Sequence, residues 1–301
     1  MTHIKYIWLI GLIMTFLFTT DGTAKVPRFK HVILIGADGF SADAIKKHPG
    51  RYQHIEKFMK EGYWTLESRS VLPSSSAINW ETLLSGADCE LHGYSDWGSK
   101  KPDFKAIYTD HWGMFPTLPG VIRDQMPKAE IGVIYSWDGI GYLYPKEAVN
   151  HDQLCPKNDE AVSRESANYI QAKAPTFLFV YFSQPDTSGH KFGWESDEYY
   201  AACDQIDRLL GDLVECIHTH MDMKSTAIIF TSDHGGRGKG HGGKSMEEMN
   251  VLFAVKGNKI PAGKRFEFPM MKYDVAPTIL QLLQLKEPDE WRGKSILRKR
   301  K

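Results

Sequence analysis

The sequence predicts an α/β fold: a doubly wound, mostly parallel central sheet with helices on both faces. Three observations carry that expectation. The run Pro175-Thr-Phe-Leu-Phe-Val-Tyr-Phe182 is almost continuously apolar, as a strand buried on both faces of a parallel sheet must be. Strand-like apolar runs alternate with helical patterns along the chain, with no internal repeat and no low-complexity linker, which is the order of βαβ units. Acidic residues and glycines gather just after those strands, where open α/β sheets place their ligands.

The elements follow in order. Phe29 to Gly36 reads as a first buried strand with Val32 to Ile35 at its centre, stopping at Gly36-Ala-Asp-Gly39. His54 to Gly62 has the spacing of a short amphipathic helix with a glycine stop. Trp64 to Leu72 is a strand candidate. Pro73-Ser-Ser-Ser-Ala-Ile-Asn-Trp80 then leads into the helical pattern Glu81 to Gly86. One of its three hydroxyls suits an N-cap, and a nucleophile there would meet the helix N-terminal amides and dipole, which favour an anionic substrate. Asn79 falls one turn inside, on the face of Ser75 or Ser76. Residues 87–120 lack a clean period and read as loop. Within them Tyr108, His111, Trp112 and Phe115 are candidates for a substrate cleft, or ordinary surface aromatics.

Gly120 to Met126 reads as a helix, Ile131 to Ser136 as a strand, and Asn158 to Ala172 as a crossover helix. The 175–182 strand empties into Ser183-Gln-Pro-Asp-Thr-Ser-Gly-His190, read as a loop. Ser196 or Asp197 caps a long helix whose buried stripe is Tyr199, Cys203, Ile206, Leu210, Leu213 and Ile217. Ser225 to Phe230 and Met249 to Lys256 are further strands. Asp274 to Leu283 is a helix with Pro277 tolerated in its first turn.

The chain has 301 residues, with 37 basic and 37 acidic side chains. That balance points to neither a nucleic-acid nor a membrane surface. Basic His3 and Lys5, the apolar run Ile7 to Phe18 and small residues ending at Ala24 follow the order of a signal peptide, and the run is short for a membrane span of ~20 residues. The expectation is a leader over 1–24, a single domain over 25–301, export to the periplasm or the extracellular space, and no stable membrane insertion after cleavage. Cys89, Cys155, Cys203 and Cys216 form no C-x-x-C pair, so a zinc ribbon or thioredoxin-like site is not indicated. Cys203 and Cys216 lie too far apart on one helix to pair with each other.

The strand ends and the serine-rich helix start together offer Asp38, Ser76, Asp186 with His190, and Asp233 with His234; His241 follows. The last three belong to Thr231 to Gly243, thirteen residues with six glycines. Ordering so much glycine costs conformational entropy, and a bound metal ion would compensate. Three Asp and three His match the ligand count of two zinc ions, which accept carboxylate oxygen and imidazole nitrogen and are usually four-coordinate. Asp186 and His190, with a glycine between them, can turn onto one ion. Asp233 and His234 are adjacent and would diverge in an extended strand, so the glycines after them must allow a bend. Calcium fits less well, because imidazole suits a hard cation poorly. A Ser-His-Asp triad from Ser76, His234 and Asp186 is an alternative, but no G-x-S-x-G elbow is present. Capping Asp and hydrogen-bonded His account for each residue singly, not for six of them at strand ends.

These pieces resemble the alkaline phosphatase superfamily, and within it the nucleotide pyrophosphatase/phosphodiesterase-like, or type I phosphodiesterase, branch. The resemblance rests on Ile35-Gly-Ala-Asp-Gly39, Pro73 to Trp80, Pro185-Asp-Thr-Ser-Gly-His190, Ser232-Asp-His-Gly235 with His241, and Asp274 to Leu280. It implies an alkaline-phosphatase-like fold and two Zn2+ ions. Asp38, Asp233 and His234 would hold one ion, with Ser76 bridging towards it; Asp186, His190 and His241 would hold the other. It further implies Ser76 as nucleophile through a phosphoseryl intermediate, and Asn79 as donor to a non-bridging phosphoryl oxygen. The substrate would be a small phosphate ester, with nucleotides among the candidates and no nucleic-acid polymer; oligomeric state is not legible. A phosphomonoesterase, a sulfate or phosphonate ester hydrolase, or a non-catalytic binding protein with a decayed site remain alternatives. No C-x-P-x-R segment of the sulfatase type is present.

Overall fold

The computed structural model describes residues 28–298, and the leader expected over 1–24 lies outside them. The chain runs β1 (His31–Ala37), α1 (Ala42–Lys47), α2 (Gln53–Glu61), β2 (Tyr63–Arg69), α3 (Ser76–Ser85), α4 (Cys89–His92), α5 (Leu118–Gln125), β3 (Ile131–Tyr135), β4 (His151–Leu154), α6 (Asp159–Lys173), β5 (Phe177–Phe182), α7 (Asp186–Phe192), α8 (Asp197–His220), β6 (Thr226–Thr231), α9 (Met246–Met249), β7 (Asn250–Lys256), β8 (Lys264–Arg265), β9 (Met270–Met271) and α10 (Val275–Leu283). The strands form one sheet in the order β4-β3-β5-β1-β6-β7-β2-β8, with β9 beside β2. Its core from β4 to β6 is parallel. β7 runs antiparallel to both β6 and β2. The expected doubly wound, alkaline-phosphatase-like α/β architecture is therefore present, with a mixed sheet.

Alternation along the strands explains why their sequences are apolar throughout. Val32 and Leu34 of β1 join Phe177 and Phe179 of β5, Trp80 and Leu83 of α3, and Ile279 of α10 on one face. Ile33 and Ile35 join Leu178 and Val180, with Ile170 of α6 and Ile206 and Leu210 of α8, on the other. A strand with period-two side chains and helices on both faces has no solvent side to make polar. Helix α8 is built as its pattern demands. Ser196 caps it by accepting from the Tyr199 amide at 3.1 Å, a bond worth about 1 kcal/mol. All six residues of its expected stripe are buried, and each large aliphatic one contributes ~1.5–3 kcal/mol on leaving water.

Several local expectations change. The 183–190 stretch is not a loop throughout, because α7 begins at Asp186. Met249 ends the short helix α9, and β7 starts one residue later. The edge strand β4 carries the polar sequence His-Asp-Gln-Leu, which has no strand signature. All four cysteines are free thiols. Among the described residues no helix is long and apolar enough to cross a membrane.

Candidate active site

Sheet order builds the site. β1 lies between β5 and β6, and Gly36 pairs with both Tyr181 and Thr231. The chain therefore leaves three adjacent parallel strands at one level, delivering Asp38, Asp186, and Asp233 with His234 to one place, as strand carboxyl ends do in α/β sheets. Gly39 makes the tight exit from β1. Its φ is +69°, and a Cβ there would lie 2.8 Å from the Asp186 Cα, so only glycine lets the two carboxylate-bearing turns approach this closely. The Gly39 carbonyl accepts from Trp194 Nε1 at 3.0 Å and from the Tyr199 hydroxyl at 2.9 Å.

Two clusters of ligand atoms result. In the deeper one, His234 Nε2 lies 3.4 Å from Asp38 Oδ1 and 3.2 Å from Asp233 Oδ2. Ser76 Oγ lies 3.1 Å from His234 Nε2 and 3.4 Å from Asp38 Oδ1. In the outer one, Asp186 Oδ2 is 3.5 Å from His190 Nε2, and Asp186 Oδ1 is 3.6 Å from His241 Nε2. The His190 and His241 Nε2 atoms are 3.1 Å apart, and the rings of His241 and His234 stack at 3.8 Å. Asp186 lies between the clusters. The ligand atoms of Asp186, His190 and His241 fall within 4.8 Å of one another, and so do those of Asp38, Asp186 and His234.

The three histidines share one tautomer. Nδ1 faces a backbone carbonyl in each: Gly235 O at 2.8 Å from His234, Lys239 O at 3.0 Å from His190, and Ser74 O at 3.0 Å from His241. A carbonyl only accepts, so each Nδ1 carries a proton, and Nε2 is the nitrogen turned towards the cluster. Burial pushes His234 and His241 down to about 3, which keeps both neutral near pH 7. Burial also raises the carboxyls of Asp38, Asp186 and Asp233; Asp38 adds repulsion on the other two, and Asp186 on Asp233. Asp186 Oδ1 and Asp233 Oδ2 have no hydrogen-bond partner. Lone pairs and carboxylates gathered this closely, with so few donors among them, repel one another unless positive charge lies between them. Nitrogen and oxygen donors in this number suit zinc.

Neighbours that the sequence did not signal hold the ligands in place. Asp38 Oδ2 accepts from Tyr181 OH at 2.6 Å and Trp80 Nε1 at 3.0 Å, which turns Oδ1 towards Ser76. Tyr181 sits in a continuously apolar strand; its one clue was that a buried phenol needs a partner. Ser74 Oγ donates to Gly243 O at 2.6 Å and accepts from the Gly242 amide at 3.2 Å, tying the loop before α3 to the loop carrying His241. Behind Asp233, the fully buried Lys272 donates to Thr231 Oγ1 at 2.8 Å. Burial lowers that ammonium to about 7, and Asp233 opposes the shift. Of the six glycines in the 231–243 stretch, Gly236 is held by close approach, since a Cβ there would lie 2.2 Å from the Trp194 ring.

A cleft of about 700 Å³ opens over the clusters, and its lining includes Asp38, Ser76, Asp186, His190 and His241 together with Trp97, Trp137 and Lys157. The six metal-ligand candidates and Ser76 meet there or directly beneath, but Asn79 does not. Its amide donates to the carbonyls of Val71, Pro73 and Ser75 and its oxygen accepts from the Val71 amide, at 2.8–3.3 Å. Asn79 is fully buried, has no donor left, and braces the 71–75 loop instead of facing the cleft. Tyr108, His111, Trp112 and Phe115 stay out of the cleft as well. Phe115 joins the core, and His111 and Trp112 share Asp124.

Residues 32–271 match the family model described as Type I phosphodiesterase / nucleotide pyrophosphatase. Bis(5'-adenosyl)-triphosphatase ENPP4 of Homo sapiens is 26% identical over 230 residues, covering 72% of this chain and 49% of that protein. Venom phosphodiesterase CdcPDE of Crotalus durissus collilineatus is 27% identical over 220 residues, covering 68% of this chain and 26% of that one. The chain thus spans about half the length of the first relative and about a quarter of the second. Among solved structures, human ectonucleotide pyrophosphatase / phosphodiesterase 5 superposes with a TM-score of 0.70 at 17% identity, over 88% of this chain and 97% of that one.

Proposed function

This chain is a member of the type I phosphodiesterase / nucleotide pyrophosphatase family, within the alkaline phosphatase superfamily, and on that premise we propose that it is an exported zinc-dependent hydrolase of small phosphodiesters with Ser76 as its nucleophile. The observation that carries the reading is the convergence of Ser76 Oγ with three histidine Nε2 atoms and three carboxylates. Asp38, Asp233 and His234, with Ser76, would hold one zinc ion. Asp186, His190 and His241 would hold the other. Bound there, the ions would supply Lewis-acid charge that favours an ionised serine oxygen and stabilises the oxygens on either side of phosphorus.

The remaining chemistry belongs to the chain. Ser76 Oγ forms a bond to phosphorus as the bond to the leaving oxygen breaks, giving a phosphoseryl ester and a free alcohol. Water then cleaves that ester, releasing a phosphate monoester and restoring the serine. Ser76 opens α3, so its amide has no intrahelical acceptor and no other backbone partner among the described residues. It is the donor placed to meet a non-bridging phosphoryl oxygen, helped by the α3 dipole. Asn79 acts one step back, by fixing the loop from which Ser76 projects. Lys157 is the one lysine or arginine among the described residues lining the cleft. One cation beside four lining carboxylates suits a singly charged diester better than a doubly charged monoester.

The protein expressed with its own leader tests the reading. The exported form should begin at Lys25, carry about two zinc ions per chain, and hydrolyse bis(4-nitrophenyl) phosphate faster than 4-nitrophenyl phosphate. Full activity in a sample free of transition metal would sink the proposal; a faster monoester reaction would reverse its substrate preference. Tyr181→Phe tests the support of Asp38. It removes one of two donors to Oδ2 without changing the ring, so zinc affinity should fall about 10–100-fold, read by competition with a chromogenic chelator. Unchanged affinity would reduce Tyr181 to a packing residue.

A further inference from the structure

Lys272 is a lysine taken wholly out of water, at 0% exposure, and the chemistry derived for Ser76 makes no use of it. A methionine would fill the same space without stripping an amine of its hydration, so packing alone does not ask for lysine here. What the amine does is reach the end of β6. Its Nζ donates to Thr231 Oγ1 at 2.8 Å, and Thr231 Oγ1 donates its own proton to Leu252 O of β7 at 2.8 Å. A hydroxyl has one proton and spare lone pairs, so the two bonds run as one chain from Lys272 through Thr231 to Leu252. Thr231 pairs with Gly36 of β1 and Phe253 of β7, and it is the last strand residue before the turn that carries Asp233 and His234. Lys272 is itself anchored, in the single turn Lys272–Asp274 ahead of α10. The two carboxylate oxygens of Asp274 accept from the Met271 and Lys294 amides at 2.9 and 2.8 Å. The turn it serves is tied mainly through its backbone and Ser232, whose Oγ accepts from the Phe40 amide and donates to His234 O, both at 2.9 Å. Asp38 Oδ2 is gripped by Tyr181 and Trp80, whereas Asp233 Oδ2 has no hydrogen-bond donor at all. The direction of the Asp233 side chain therefore depends on how β6 ends.

We infer that Lys272 is a positioning residue for the deeper zinc site, whose amine fixes Thr231 and thereby the direction in which Asp233 and His234 leave β6; this rests on the two-zinc reading above. Its effect is local. The outer ligands Asp186 and His190 stand on α7, and His241 follows seven residues after His234 on a separate part of the loop, so none of the three hangs directly on Thr231.

Cobalt(II), whose visible absorption reports the geometry of its ligands, tests the inference by titration into metal-free protein. His190→Ala leaves the deeper site to be read alone, and His234→Ala leaves the outer one. Lys272→Met should weaken cobalt binding about tenfold or more and shift its absorption bands in the first background, and weaken it less than about threefold in the second. Thr231→Val should match Lys272→Met, Thr231→Ser should bind as the unaltered protein does, and the double variant should lose no more than either single one, because all break the same chain. Exchanging a buried amine for an apolar group of like volume is often neutral or stabilising, so the melting temperature of the metal-free protein should hold or rise. A melting temperature that falls along with affinity would make Lys272 a structural residue and overturn the inference. Equal weakening of both sites, weakening of neither, or additive losses overturn it as well. An unaltered protein that takes up no cobalt counts against the two-zinc reading alone. The inference is then decided by the imidazole nitrogen resonances of the metal-free protein, where Lys272→Met should move those of His234 and leave those of His190 in place; unmoved His234 resonances overturn it.

Discussion

Replacing Ser76 with alanine is expected to lower turnover of an aryl phosphodiester at least ~10³-fold, with melting temperature close to that of the unaltered protein. Ser76 Oγ is the group placed between Asp38 and His234 at the base of the cleft. The substitution deletes one atom from a buried first-turn position, and alanine is the better helix former, so α3 should persist. The Asp38–Tyr181 and Asp38–Trp80 bonds do not involve Ser76, and the remaining ligands keep their supports. A fall in kcat with little change in KM would mark an interaction made chiefly in the transition state. Undiminished turnover would remove the covalent step. Loss of zinc together with activity would make Ser76 a structural ligand first and a nucleophile second.

Stripping the metal should have the other large effect. Without cations between them, Asp38, Asp186 and Asp233 face one another in a buried site, and burial with mutual repulsion holds the Asp186 and Asp233 carboxyls well above their ordinary range. His234 and His241 do not relieve this, because burial holds both imidazoles neutral and so opposes a second proton on Nε2. A ligand present at about a thousand times its Kd stabilises the folded state by ~4 kcal/mol, and each kcal/mol moves the melting temperature of a chain near this size by about 2–4 °C. Chelation should therefore abolish turnover and lower the melting temperature by on the order of 10 °C, with both restored by added zinc. Scanning calorimetry before and after dialysis against a chelator measures it. A melting temperature indifferent to chelation would mean that the cluster does not hold metal ions.

Much of the candidate site was legible because it sits at the ends of strands that announce themselves. β1, β5 and β6 are buried on both faces and so read as apolar runs, and the polar residues that interrupt them stand out. The acidic and histidine positions at those interruptions meet in the structure. Where reading failed, the cause was context. The 183–190 stretch looks like loop because Ser188 and Gly189 are poor helix formers, yet it forms α7. Gly189 seats against the Trp194 ring, and the helix brings Asp186 and His190 together one turn apart, with no need for a glycine turn. β4 is short and polar, and its strand character comes from pairing with β3. The aromatics at 108–115 had the composition of a cleft, but nothing local says which way a loop faces.

Asn79 marks the boundary most clearly. Helical spacing correctly placed it beside Ser75, four residues on, but spacing cannot say which way that face turns. Packing of Trp80 under Asp38 and against Phe179 and Tyr181 sets the rotation of α3. Asn79 is thereby aimed at the 71–75 loop, not at the cleft. By itself the sequence determined the strands buried on both faces, the longer helices that cover them and the chemical types gathered at the strand ends, because burial on two faces and local spacing are written into neighbouring residues. Only the tertiary structure decided that β1 lies between β5 and β6, that Asp186 stands between two ligand clusters, and that Tyr181 and Trp80 orient Asp38. Those depend on strand order and helix rotation, which are settled by contacts between residues far apart in the chain.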